Sequence, residues 1–162
     1  MNNEGGPGIV VLVCVALAVA TLDLLSKALA LHLPVEGVEF LPLLDLRLAF
    51  NRGVSFGLFA AEGEVGRIAL IALPVVAILV LFFLVWRAER AIERLGYTLI
   101  AGGAIGNLID RLPDGTVTDF LDAHVNAWHF PTFNLADVSI TLGVSLMVLS
   151  VWRPVRLLGS SP

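Results

Sequence analysis

The sequence predicts an all-α membrane protein: a bundle of four transmembrane helices carrying a small extracytoplasmic β-platform. Three observations predict it. The 162 residues are 57% hydrophobic and only 15% charged, with a mean hydropathy of +0.90, more apolar surface than a soluble domain of this length has use for. The apolar residues fall into four blocks. Between the first two blocks, Leu44, Leu46, Leu48 and Phe50 alternate with Asp45, Arg47 and Ala49, the period of a strand with one buried face. One integral membrane domain over 1–162 is expected, with spans at about 9–33, 68–86, 95–109 and 133–152 and extracytoplasmic connections at 34–67 and 110–132.

The balance of charge narrows the function. A net charge of −4 and the lack of any basic tract argue against a nucleic-acid partner. The single cysteine, Cys14, has no partner for an intramolecular disulfide and suggests no metal site. It reads as a small core or lipid-facing residue.

Taken in order, residues 1–8 are polar and read as a frayed terminus. The first span follows, apolar apart from Thr21, Asp23, Ser26, Lys27 and His32. Ala18-Val19-Ala20 imitates a signal-peptide cleavage site, but no Lys or Arg precedes the block, so a retained span is expected. The connection 34–67 contains the strand, then NRGVSFG at 51–57 with two glycines that allow tight turns. Glu62, Glu64 and Arg67 precede the second span, which holds Pro74 and no charge and ends at Trp86, a residue of the membrane interface. The third span is short, with small residues in GGAIGN that allow close helix contact. Residues 110–132 read as a polar loop, with His124 and His129 as interfacial loop residues. The fourth span follows, and Arg153 and Arg156 lie beyond it.

Four spans put both termini on one side. The 87–94 connection and the tail carry five of the ten Lys and Arg residues, which places the termini in the cytoplasm, the more so if Arg52 and Arg111 serve a site. Asp23 and Lys27, Asn107 and Asp110, and Asn134 and Asp137 then fall in one layer, at the outer end of their spans.

Each of these groups has a plain reading. Asp23 and Lys27, four apart, share a helix face and either lock helices as an ion pair or bind a substrate. Gly103, Asn107 and Asp110 or Arg111 recur at helical spacing, and Asn107 either glues helices or serves a site. Asn134 and Asp137 suit the mouth of a helix as caps, and Asp119 alone suits a solvated loop. The pair Asp119 and Asp137 is different. Two carboxylates meeting across a desolvated gap do not both ionise readily, so they share a proton. One then serves as base toward a water and the other as acid toward a carbonyl, the chemistry of aspartic proteases. Other schemes are not expected: the serines are read as lying outside any nucleophile turn, and His124 and His129 lack the spacing and the glutamate of a zinc helix. A proton or ion carrier would spread polar residues through the bilayer depth, and a structural subunit would lose assembly rather than turnover when its acids are neutralised.

The sequence resembles the bacterial lipoprotein signal peptidases, the signal peptidase II family. The resemblance covers essentially the whole chain and rests on Asp23-xxx-Lys27, NRGVSFG at 51–57, GGAIGNLIDR at 102–111, VTDF at 117–120 and FNLAD at 133–137. It implies a multi-pass protease of the bacterial cytoplasmic (inner) membrane with its site at the outer face. That enzyme removes signal peptides from prolipoproteins, cutting before a cysteine that carries a diacylglyceryl group. It implies Asp119 and Asp137 as catalytic, with Asp23, Lys27, Asn51, Arg52, Gly103, Asn107, Asp110, Arg111 and Asn134 shaping or supporting the site. No metal or cofactor is expected, and the partners are the lipid-modified signal peptides and membrane lipids, with the chain acting as a monomer. Residues 120–133 are expected to return Asp119 to the mouth of the fourth span.

Overall fold

The computed structural model describes residues 7–53 and 64–152. Four helices, α1 (Ile9–Ala30), α2 (Glu64–Arg87), α3 (Ala91–Arg111) and α4 (Leu135–Val151), are joined by four strands, β1 (Val38–Leu41), β2 (Leu44–Asn51), β3 (Val117–Val125) and β4 (Trp128–His129). The strands form one antiparallel sheet in the order β1-β2-β3-β4. Glu62 and the basic tail at Arg153 and Arg156 lie outside the described residues.

The helices turn narrow stripes inward. On α1 the buried residues are Leu12, Ala16, Ala20, Asp23, Lys27 and Ala30, steps of three and four that follow one face of a helix. Leu22, Leu25 and Leu29 are exposed, as lipid-facing residues are, and so is Cys14. Two helices, Ile9–Ala30 and Ile68–Arg87, are long and apolar enough to cross a membrane by length and composition. α4 is apolar but shorter, at 17 residues, which is roughly 26 Å at 1.5 Å per residue against a hydrocarbon core of about 30 Å. α3 is longer than the expected third span because it includes Glu93, Arg94, Asp110 and Arg111 at its two ends.

α3 is the helix around which the others pack. It meets α4 and α1 most extensively, and then α2. Small residues permit this. A Cβ on Gly96 would come within 3.0 Å of the Gly143 carbonyl oxygen, and one on Gly143 within 2.6 Å of the Gly96 oxygen. On the other side of α3, a Cβ on Gly102 would lie 2.9 Å from the Ala16 oxygen. Backbones this close exchange dispersion contacts that larger side chains would prevent. Polar ties reinforce the bundle: Ser139 Oγ donates to the Leu99 carbonyl at 2.9 Å, and Arg90 Nη1 donates to the Ser150 carbonyl at 2.9 Å.

The platform covers the ends of α1 and α4. Leu44, Leu46 and Leu48 of β2 pack with Phe120 and Leu121 of β3 on Ala30, Leu33, Phe133 and Val138. The alternation read from sequence holds for Leu44, Leu46 and Leu48, whereas Phe50 is exposed and stands outside this cluster, and β2 runs one residue further than expected. The 110–132 connection is not simply a polar loop. It contributes the most deeply buried strand, with Val117 through Asp122 all buried. Its backbone is satisfied on one side by β2. On the other, Phe120 and Leu121 both donate to the Phe133 carbonyl, at 3.0 and 2.8 Å.

The β2–β3 register contains one irregularity. Leu46 pairs with Leu121, yet Ala49 pairs with Asp119 and Asn51 with Val117. Three residues on β2 therefore span two on β3, which is a bulge. A one-residue shift turns every later side chain to the other face. Without it, Asn51 would stand opposite Thr116 and diagonal to Thr118. With it, Asn51 is diagonal to Asp119 on the same face.

Candidate active site

The platform, α1, α3 and α4 converge on one polar cluster. Asp119 comes from β3 and is 2% exposed. Asp137 comes from the first turn of α4 and is half-buried. They are joined through Asn134, the residue that caps α4. Asn134 Nδ2 donates to Asp119 Oδ1 at 2.7 Å, and Asn134 N donates to Asp137 Oδ2 at 3.2 Å. Asn134 Oδ1 accepts from Asp137 N at 3.0 Å, which completes a reciprocal capping box. The capping reading of Asn134 and Asp137 is thus correct, and it is the means by which Asp137 is held beside Asp119.

Two further asparagines complete the set of donors. Asn51 Nδ2 donates to Asp119 Oδ2 at 3.1 Å, and Asn107 Nδ2 donates to Asp137 Oδ1 at 3.0 Å. Asn107 Oδ1 accepts from Lys27 Nζ at 2.7 Å and from Asn134 Nδ2 at 3.1 Å. Each carboxylate therefore receives two N–H groups, and the amides are linked to one another.

Behind this lies an ion cluster. Lys27 Nζ is 2.7 Å from Asp23 Oδ2 and 3.4 Å from Asp110 Oδ2. Asp23 Oδ1 accepts from Ala136 N at 2.8 Å, satisfying a donor that the start of a helix leaves open. Asp110 accepts from Thr118 N at 2.7 Å and from Thr118 Oγ1 at 3.3 Å, which fixes β3 one residue before Asp119. Arg111 is half-buried, within electrostatic reach of Asp110, Asp119 and Asp137, and its Nε makes no hydrogen bond among the described residues.

Of the residues singled out in the sequence, Asp23, Lys27, Asn51, Asn107, Asp110, Arg111, Asp119, Asn134 and Asp137 all belong to this cluster. Gly103 serves from behind: a Cβ there would lie 2.5 Å from the Ala136 oxygen, in the first turn of α4. Arg52 is exposed and joins none of these contacts. Two participants were not anticipated. Thr118 gave no signal beyond its place next to Asp119. Gly106 stands where a Cβ would lie 2.6 Å from Asp23 Oδ2, and its signal was the four-residue spacing from Gly102. Gly106→Ala is expected to lower stability by about 1–3 kcal/mol. An unfolding midpoint in detergent equal to that of the wild type would refute this close approach.

Burial raises the pKa of Asp119 above its ordinary value. The Asn51 N–H group works against the rise, and the charge of Asp137 adds to it.

Two other features bear on chemistry. His124 Nε2 lies 3.3 Å from Asp45 Oδ2, His129 Nδ1 lies 2.9 Å from Asp122 Oδ1, and the two rings stack at 5.3 Å. The histidines are thus strand residues engaged by acids rather than loop residues. Among the described residues, no group of three or more histidine, cysteine or acidic side chains has the geometry to hold a metal ion. The chain also spells G-x-S-x-G once, at Gly53-Val54-Ser55-Phe56-Gly57, contrary to the sequence expectation for its serines. That motif acts at a sharp strand-to-helix turn, whereas here α2 begins only at Glu64. Ser55 itself lies outside the described residues.

The chain matches known proteins along nearly its whole length. The model of the family described as signal peptidase (SPase) II matches residues 15–153. A lipoprotein signal peptidase of Burkholderia thailandensis is 40% identical over 159 residues, which is 96% of each chain. One of Burkholderia ambifaria is 43% identical over 145 residues, 88% of this chain and 87% of that one. Two solved structures described as a bacterial membrane enzyme share the fold, with TM-scores of 0.81 and 0.80 at 22% and 23% identity. They cover 99% and 94% of this chain and 99% of their own. The chain belongs to the signal peptidase II family and is a peptidase of that family.

Proposed function

We propose that the chain is an aspartic endopeptidase that removes signal peptides from diacylglyceryl-modified prolipoproteins, cutting before the lipidated cysteine. The observation that carries the mechanism is the meeting of Asp119 and Asp137 on Asn134, with 2.7 Å to one carboxylate and 3.2 Å to the other. The family supplies the substrate class.

Asp137 is the ionised base. It sits in the first turn of α4, where the helix dipole favours an anion, and it accepts from Asn107 and from Asn134 N. Asp119, the more buried of the two, carries the shared proton. A water between them gives a proton to Asp137 as its oxygen adds to the scissile carbonyl carbon. Asp119 gives its proton to the carbonyl oxygen. The C–N bond then breaks as the proton on Asp137 passes to the leaving nitrogen, and a hydroxyl of the intermediate returns a proton to Asp119. Arg111, whose Nε no described residue engages, supplies a donor beside both acids to a substrate carbonyl or to a lipid head group. Arg52, exposed beside Asn51, is the second candidate for a head-group contact.

The chain acts as a single multi-pass domain of the bacterial inner membrane, with four spans, cytoplasmic termini and the site at the outer face. α4 begins at the site and is the short span. A cysteine introduced at Trp128, which is exposed on the platform, should react with an impermeant thiol reagent from outside the cell. Labelling only after lysis would reverse the topology.

Two outcomes test the chemistry. Purified protein should cleave a diacylglyceryl-modified precursor and not its unmodified form, and Ser55→Ala should cleave at the wild-type rate. If losing the Ser55 hydroxyl abolishes cleavage, the carboxylate mechanism is wrong. The active form keeps a proton on Asp119, so the alkaline limb of kcat/KM should lie above the ordinary carboxylate range of about 4. The sign for stability is the same. A raised folded pKa contributes stability that is present at low pH and lost as pH rises through it. Asp119→Asn should flatten that dependence.

A further inference from the structure

The three amides of the site are held one way round. Asn134 Oδ1 accepts from Asp137 N, Asn107 Oδ1 accepts from Lys27 Nζ, and Asn51 Oδ1 accepts from Gly53 N at 2.9 Å. With its oxygen occupied, each amide presents its NH2 to a carboxylate. Turned over, Asn51 would set its NH2 against the Gly53 N–H, a repulsion in place of a hydrogen bond whatever the protonation of Asp119.

We infer that Gly53 is a positioning residue for Asp119, acting through the amide of Asn51. The role needs a glycine for two reasons. Gly53 has φ +84°, a left-handed conformation that aims its N–H back at the Asn51 side chain and that most side chains resist. A Cβ there would also meet the Leu70 methyls of α2 at 2.7 and 2.8 Å. β2 thus ends by fixing the orientation of the one amide that reaches Asp119 from the platform. The Asn51 N–H favours the carboxylate form of Asp119, so losing it moves the alkaline limb of the activity profile upward. This rests on the dyad reading.

The test is a cycle on purified protein with a diacylglyceryl-modified precursor. Gly53→Ala should lower kcat/KM by about 3- to 10-fold, the range of a hydrogen bond to the neutral acid that Asp119 is in the active form. It should also move the alkaline limb to where Asn51→Ala places it. The double variant should be no worse than Asn51→Ala alone, because both changes remove the same contact. Gly53→Asn with Leu70→Ala should recover activity, since asparagine tolerates a positive φ, keeps the N–H and gains space. Leu70→Ala alone should match the wild type. If Gly53→Ala does not fold, the Asn51→Ala limb shift and the Gly53→Asn/Leu70→Ala recovery decide the matter. Penalties that multiply in the double variant, or an unmoved limb, overturn the inference for Gly53. Asp119→Asn separates the two failures: if that variant keeps wild-type turnover, the dyad reading falls as well.

Discussion

Asp119→Asn should lower turnover of a diacylglyceryl-modified precursor by about 10²–10⁴-fold, the usual contribution of a positioned acid or base. The loss should come without collapse of the fold. Asparagine fits the space, but it exchanges one acceptor oxygen for an NH2 that faces either Asn51 Nδ2 or Asn134 Nδ2, where the wild type has acceptors for both. A modest drop in the unfolding midpoint is therefore expected beside the large loss of rate. Asp137→Asn should be equally inactive and closer to the wild type in stability. Its new NH2 also faces a donor, either Asn134 N or Asn107 Nδ2, but Asp137 is only half-buried, so water can take up the lost contact. Activity and detergent-solubilised stability should be measured on the same samples. Variants that lose assembly in proportion to activity would indicate a structural role for the acids. Wild-type processing by either variant would rule out the dyad.

Lys27→Ala should be the most destabilising single change at the site, at about 3–5 kcal/mol. Lys27 lies against Asp23 and Asp110, and Asp23 is 0% exposed. Removing the cation leaves two acids without a counter-charge in a place where water cannot replace it. Asp23→Asn should cost less. Its oxygen still accepts from Ala136 N, and Lys27 keeps Asp110 and Asn107. Combining Asp23→Asn with Lys27→Met should recover part of the loss, because the close pair of opposite charges is then removed together. Lys27→Ala should also slow turnover beyond its effect on stability, since Asn107 Oδ1 loses the closer of its two donors. A cost below about 1 kcal/mol for Lys27→Ala would mean that water reaches the cluster and the ion pair is not closed.

The sequence revealed the parts of the molecule that obey a period. The strand at 44–50 was legible because Leu44, Leu46 and Leu48 share the face that packs on the platform core, and Asp23 and Lys27 because their spacing follows the buried face of α1. β1 was missed because it has only four residues, all exposed, and so shows no contrast between faces. β3 was missed for the opposite reason. Thr118, Asp119 and Asp122 are buried beside Phe120 and Leu121, so polar and apolar residues share one interior and the alternation disappears. The polar letters suggested a loop, whereas they mark a strand that carries the site. Asp137 stood out because a carboxylate at a membrane helix end is costly, whereas Asp119 alone suits a solvated loop and was singled out by the resemblance of VTDF and FNLAD to the family. Their separation could not, since it depends on a capping box and a strand register. Thr118 and Gly53 act through backbone N–H groups, which leave little mark on composition.

The bulge in β2 divides the platform into two functions that can change independently. Residues before it, through Leu46, answer to the apolar cover over α1 and α4 and, at Asp45, to His124. Residues after it, Ala49 to Asn51, take their phase from β3 and answer to Asp119. The cover can be trimmed, thickened or recharged on its outer edge without altering the catalytic geometry. The register beyond the bulge limits that freedom to substitutions. Losing Phe50, which follows the bulge, would leave the apolar cover intact while setting Asn51 opposite Thr118 and turning it away from the acid, giving a protein that is folded and silent.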